Sequence, residues 1–127
     1  MPVSGLPPYD ENNIFARILR GEIPSKRVHE DEWAVAFHDI APQAPTHVLV
    51  IPRGAYVSLA DFATRGSEAE VAGFWRAVAT VAKSLGLEDA GYRTLSNMGR
   101  AAGQEVPHFH VHLFGGRPLG PMLVAAA

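Results

Sequence analysis

The segment His108-Phe109-His110-Val111-His112-Leu113-Phe114 alternates imidazoles with apolar side chains. Alternation at period two marks an extended strand whose faces do different work. Phe109, Val111 and Leu113 then pack a core, while three imidazoles line the opposite face about 6.7 Å apart, at ~3.3 Å rise per residue. The outer pair stand about 13 Å apart, too far for all three to converge comfortably on one zinc ion, whose nitrogen donors sit about 2.0 to 2.1 Å away. Cysteine is absent and Glu105 is the only nearby carboxylate. A zinc ion is possible here but not expected, and no cofactor is required. Proton and phosphoryl chemistry suits the row better, because imidazole, with an unperturbed pKa of about 6.5, serves as nucleophile, acid or base near neutrality. Neighbouring protonated rings repel, which favours a neutral attacking ring beside one that holds a proton.

The rest of the chain supplies the scaffold for this strand. Residues 1–11, with three prolines and a glycine, read as an irregular arm, and residues 12–127 read as one domain, a length that suits a single core. Ile14, Phe15, Ile18 and Leu19 recur at helical spacing before Gly21 and Pro24, which predicts a short helix. Lys26–His29 and Trp33–His38 form a hairpin around Glu30-Asp31-Glu32. His47–Ile51, closed by Pro52, suits a central strand buried on both faces. A long helix starts at Ser67, where Ser67 and Glu70 make a capping box, and runs to about Leu85. Its apolar stripe includes Val71, Phe74, Trp75, Val78 and Val81, with Phe74 and Trp75 read as core. Tyr92–Asn97 reads as a strand, Gly99–Val106 as a glycine-containing loop, and the histidine strand starts at Pro107.

A formal charge of −2 without a block of like charges argues against a nucleic acid polymer as partner. No apolar run is long enough for a bilayer and no secretory signal pattern precedes the first helix, so the expectation is a soluble, cytoplasmic protein without a membrane partner.

The histidine segment resembles the motif of the histidine triad superfamily. Phe37-His38-Asp39-Ile40-Ala41-Pro42-Gln43-Ala44-Pro45-Thr46-His47 and Gly115-Gly116-Arg117-Pro118-Leu119 are similar to its Hint branch, the purine nucleoside phosphoramidases. With Ile14–Pro24 and Asn97, the similarity covers nearly everything from Asn12 to Met122. The resemblance implies an α+β fold, with an antiparallel sheet of about five strands, one long and one short helix, and a homodimer sharing a continuous sheet. It also implies hydrolysis of purine nucleoside 5'-phosphoramidates such as adenylylated amines, in which His110 attacks the α-phosphorus to give a nucleotidyl-imidazole intermediate.

By the same resemblance, His112 contacts the phosphate and leaving group, His47 supports a proton relay with it, and His108 buttresses the nucleophile, partly through its backbone. Asp39 accepts from the ribose hydroxyls, Asn97 orients the phosphate or leaving group, and the loop of Gly103, Gln104 and Glu105 cradles the phosphate. Ile14, Phe15, Ile18, Phe37 and Ile40 line the base pocket. His29 is expected to be solvent-exposed, and neither it nor His38 takes a role.

Glu105 stands where many eukaryotic Hint proteins have serine and is more like the bacterial branch; it turns outward, pairs with Arg100 or is held protonated. Pro107 replaces a usual aromatic. The alternatives are a dinucleoside polyphosphate hydrolase and a non-catalytic nucleotide- or zinc-binding regulatory module.

Overall fold

The computed structural model describes residues 1–124; the end of the predicted domain, residues 125–127, lies outside the described residues. In chain order the elements are α1 (Ile14–Leu19), β1 (Arg27–Glu30), β2 (Ala34–His38), β3 (Thr46–Pro52), α2 (Leu59–Arg65), α3 (Glu68–Ser84), β4 (Arg93–Leu95), a 3₁₀ turn at Arg100–Ala102, and β5 (Val111–Gly115). Residues 1–10 contain neither helix nor strand. The five strands form one antiparallel sheet in the order β1-β2-β3-β5-β4, as the resemblance implies. Among the described residues, no helix is long and apolar enough to cross a membrane.

Period-two alternation divides the sheet into two faces. Ala34, Ala36, Val48, Val50, Val111 and Leu113 join Phe62, Phe74 and Phe109 in the larger core, which α2 and α3 cover. The three phenylalanine rings lie 5.0 to 5.3 Å apart, a spacing at which aromatic pairs contribute about 0.5–1.5 kcal/mol beyond burial. Val35, Phe37, Leu49 and Ile51 face the other way, into a smaller cluster with Phe15 and Ile18 of α1. This second face is only partly roofed, and there the histidines emerge. β3, in mid-sheet, is buried from His47 onward.

Capping explains where the helices begin. Asn13 Oδ1 accepts from the Ala16 amide at 2.9 Å and opens α1; Ser67 and Glu70 form the capping box that opens α3. The sequence reading of one long and one short helix misses α2, whose Ser58 cap accepts from Asp61 and whose Phe62 is a single deep apolar anchor. Seven residues with one buried ring give too little periodicity to register. Trp75, read as core, is 39% exposed. It lies edge-on to Phe74 at the rim of the helix stripe.

Two strands are shorter than the pattern suggests. β4 covers Arg93–Leu95 rather than Tyr92–Asn97. β5 begins at Val111, not Pro107: Val111 pairs with Val50, and two residues beyond Val50 β3 ends on Pro52, which lacks an amide N–H to continue a ladder. The segment before Val111 is instead held by the loop after β3, with the Phe109 amide donating to the Tyr56 carbonyl at 2.7 Å. The three histidines therefore do not form a straight row on one regular strand.

Candidate active site

A cleft of about 300 Å³ opens on the partly roofed face, lined among others by Phe15, Asp39, Asn97, Gly103, Gln104, Glu105, His110 and His112. Ala41, Gln43, Leu49 and Val106 complete the lining, so it holds two carboxylates and no lysine or arginine.

His108 and His110 are fixed by backbone groups. A carbonyl oxygen only accepts, so the His108 Nε2–H donates to the Pro52 carbonyl (2.9 Å) and the His110 Nδ1–H to the His108 carbonyl (2.7 Å). A neutral imidazole carries one N–H, which leaves His110 Nε2 as a bare lone pair. Phe15 of α1 stands edge-on to that ring, with centroids 5.0 Å apart.

His47 and His112 are fixed by each other. The Gln43 amide donates to His47 Nδ1 at 3.1 Å, so neutral His47 carries its proton on Nε2 and gives it to His112 Nδ1 at 2.9 Å. His112 in turn must carry its own proton on Nε2. Since His112 sits opposite Leu49 on the cleft face and its ring lies 5.1 Å from that of His110, the site juxtaposes a ring with a lone pair and a ring with an N–H donor. A nucleophile and a proton donor need that pairing.

Burial sets the charge state. Desolvation lowers all four histidine pKa values, taking His108 and His112 to about 4. At His110 desolvation outweighs the hydrogen bond to the His108 carbonyl and the attraction of Asp39; at His47 it outweighs Asp39. The cluster is thus neutral at pH 7.

Asp39 has two attachments. Its Oδ1 accepts from the Ala41 amide at 2.8 Å, a local turn contact, and its Oδ2 lies 3.4 Å from His47 Nε2. Asp39, His47 and His112 place donor atoms within 4.8 Å of one another. This is a different trio from the triad row considered for zinc, and two imidazoles with a carboxylate form a donor set that suits that ion.

The loop from Gly99 to Val106 is braced from within. Gly103 adopts the left-handed conformation (φ +78°), yet its N–H donates to Arg100 and that of Gln104 to Gly99. The Gln104 side chain is buried, bonded to the Val57 and Val106 carbonyls and to the Gly99 amide. Among the described residues, the next amides on the lining, Glu105 and Val106, make no hydrogen bond and are free donors. The Glu105 side chain is exposed, without a salt bridge among the described residues.

The remaining expected site residues separate by depth. Ile18 and Phe37 are buried in the cluster beneath the cleft, Ile14 is 43% exposed and Ile40 98% exposed at the surface, and neither His47 nor His108 is open to solvent. His29, expected in solvent, is half-buried and bonded through Nε2 to Asp31 at 2.8 Å; His38 is exposed. Sequence reasoning missed Gln43 and Tyr9. Gln43 acts through its backbone, which leaves no residue-type signal, whereas Tyr9, whose hydroxyl lies 2.6 Å from His108 Nδ1, stood out only as an aromatic in a proline-rich arm.

The model of the HIT domain family matches residues 20–119, and the chain belongs to that family. It is 64% identical over 115 residues to an uncharacterized 13.2 kDa HIT-like protein of Azospirillum brasilense, a match covering 91% of this chain and 94% of that one. It is 45% identical over 113 residues to the purine nucleoside phosphoramidase of Escherichia coli K12, covering 89% and 94%. A histidine triad protein from Clostridium difficile superposes with a TM-score of 0.82 at 37% identity, covering 90% and 98%. The resemblance read from the sequence is thus borne out at the level of the family.

Proposed function

We propose that the protein hydrolyses purine nucleoside 5'-phosphoramidates, such as adenylylated amines, to the nucleoside monophosphate through a nucleotidyl-His110 intermediate. The observation that carries this reading is the His110 ring, whose Nδ1 is committed to the His108 carbonyl so that a neutral Nε2 lone pair stands beside the N–H of His112. Nε2 attacks the α-phosphorus, and the phosphorus–nitrogen bond breaks as the new bond forms. The leaving nitrogen takes the His112 Nε2 proton; the His47 Nε2–H replaces it at Nδ1, and solvent restores the His47 proton through the partly exposed Asp39, which faces that same Nε2. Water then cleaves the nucleotidyl-imidazole, so one difficult displacement becomes two easier ones.

Positioning does much of the work in such transfers. In this reading the Glu105 and Val106 amides, rather than those of Gly103 and Gln104, hold the phosphate. Asp39 accepts from the ribose hydroxyls, Asn97 orients the phosphate or leaving group, and Phe15, Ile14 and Ile40 flank the purine, with Ile18 and Phe37 as the floor. The reading extends to a cytoplasmic homodimer joined through the exposed edge of β4, with no nucleic acid polymer or membrane as partner and no cofactor requirement.

The test is rapid-quench mass spectrometry with adenosine 5'-phosphoramidate. A covalent adenylyl adduct on His110 is expected, and an adduct on any other residue defeats the assignment. Comparing turnover of this substrate with diadenosine polyphosphates separates the phosphoramidase from a dinucleoside polyphosphate hydrolase.

A second reading, a zinc-binding regulatory module, is favoured by the Asp39–His47–His112 trio alone. Stoichiometric zinc that survives purification would support it. Full turnover after exhaustive chelation supports the first reading.

A further inference from the structure

We propose that the N-terminal arm is a working part of the site, with Tyr9 as a positioning residue for His110; this rests on the reading of His110 as nucleophile.

The arm touches the site framework at three places. The Val3 amide donates to the Gln104 carbonyl at 2.7 Å, which ties the arm to the loop on the cleft wall. Gly5 lies against the same loop so closely that a Cβ there would meet Gln104 Oε1 at 2.8 Å and the Gly99 amide at 3.0 Å, and its φ of +72° is itself a glycine conformation. The Tyr9 hydroxyl lies 2.6 Å from His108 Nδ1, with the two rings edge-on at 5.6 Å. Immediately afterwards the Asp10 carbonyl accepts from Asn13 Nδ2 at 2.7 Å, so the arm feeds directly into the cap of α1, the helix that sets Phe15 against His110.

The hydrogen-bond directions around His108 are forced. Its Nε2–H is spent on the Pro52 carbonyl, so a neutral ring offers Nδ1 only as an acceptor and Tyr9 must donate to it. His108 is fully buried; without the phenol, Nδ1 would be a buried acceptor lacking a partner, and the ring would lose one of its two anchors. That matters because the His108 carbonyl receives the His110 Nδ1–H and thereby aims Nε2 into the cleft. Tyr9 is not among the residues that line the cleft; it acts through His108.

The test compares the full chain with Tyr9→Phe, which keeps the ring and removes only the hydroxyl, and with Val3→Pro, which removes the amide donor to the loop and fixes φ there. For Tyr9→Phe we expect kcat on adenosine 5'-phosphoramidate to fall about fivefold, the scale of one lost hydrogen bond, with KM within about twofold. The His108 Nδ1 resonance in ¹⁵N imidazole spectra should also move. For Val3→Pro, amide hydrogen exchange across Gly99–Gln104 should accelerate with the core unchanged. An unaltered kcat, an unmoved His108 resonance or unaltered loop exchange would each overturn the proposal. If the wild-type protein does not turn over the phosphoramidate, the functional reading fails by itself, and the resonance and exchange measurements still decide the role of the arm. If Tyr9→Phe does not fold, the wild-type His108 Nδ1 resonance, expected at the position of an unprotonated, hydrogen-bonded nitrogen, and the loop exchange of Val3→Pro decide it.

Discussion

The pair His108 and His110 and the pair His47 and His112 are built from the same side chain and differ in what holds them. Backbone carbonyls take the N–H of each ring in the first pair, at Pro52 and His108, with the Tyr9 hydroxyl on the other His108 nitrogen; one backbone amide and a ring-to-ring bond hold the second. A carbonyl cannot donate, so the first pair has one proton arrangement and presents a permanent lone pair. A ring-to-ring bond can pass a proton along, and Asp39 stands beside the His47 Nε2 that makes it. The division teaches that a cluster of identical titratable groups acquires separate roles from the fixed polarity of its partners rather than from distance alone.

Removing a member of the first pair should do the greater damage. His110→Ala is expected to keep the fold and lower turnover by at least about 10³-fold, with no covalent adduct; wild-type kinetics in a pure preparation would end the distinction between the pairs. The cost of burying neutral imidazoles should appear as a pH dependence of stability. His108 binds its proton at about 4 when folded and near 6.5 when unfolded, so its stabilisation is complete above the unfolded value and is lost as the pH falls toward the folded one. Urea denaturation should show a loss of about 3 kcal/mol from this group between pH 6.5 and 4, and a flat profile would mean that the ring is not held neutral by burial.

Damage to the second pair should be smaller and of another kind. His112→Ala is expected to slow turnover about 10²-fold, the scale of general acid catalysis, while adduct on His110 still forms with activated substrates whose leaving group needs no proton. An equal loss with both kinds of substrate would erase its separate role. The least effect belongs to the rim: Ile40→Ala should raise KM about threefold and leave kcat unchanged, as expected for one apolar contact made equally in ground and transition states. A change in kcat instead would bring Ile40 into the reacting geometry.

Much of this was legible in the residues. Alternation from His108 to Phe114 correctly separates Phe109, Val111 and Leu113, in the larger core, from His110 and His112 on the cleft, and the Ser67–Glu70 capping box is present as read. The straight three-histidine row was not: where a ladder stops depends on the partner strand, and here Pro52 ends it four residues later than Pro107 suggested. Backbone contributors were invisible for a related reason. The Gln43 amide and the His108 carbonyl act without their side chains, so no residue type announces them, and the same holds for the proposed phosphate contacts of the Glu105 and Val106 amides. Tyr9 is the opposite case, a side chain whose meaning depends on a contact 99 positions away.

The cleft lining holds Asp39 and Glu105 and neither lysine nor arginine. In the proposed reading phosphate is held by neutral N–H groups, without the long-range attraction of a cationic trap, so added salt should not weaken affinity. It also discriminates by charge after the reaction. The proposed hydrolysis exchanges a neutral amine substituent on phosphorus for an ionisable oxygen, and the monophosphate that results carries more negative charge than the bound substrate. In this setting the product is repelled by the two carboxylates without a balancing cation, which makes departure, rather than capture, the step that the electrostatics of the lining favour.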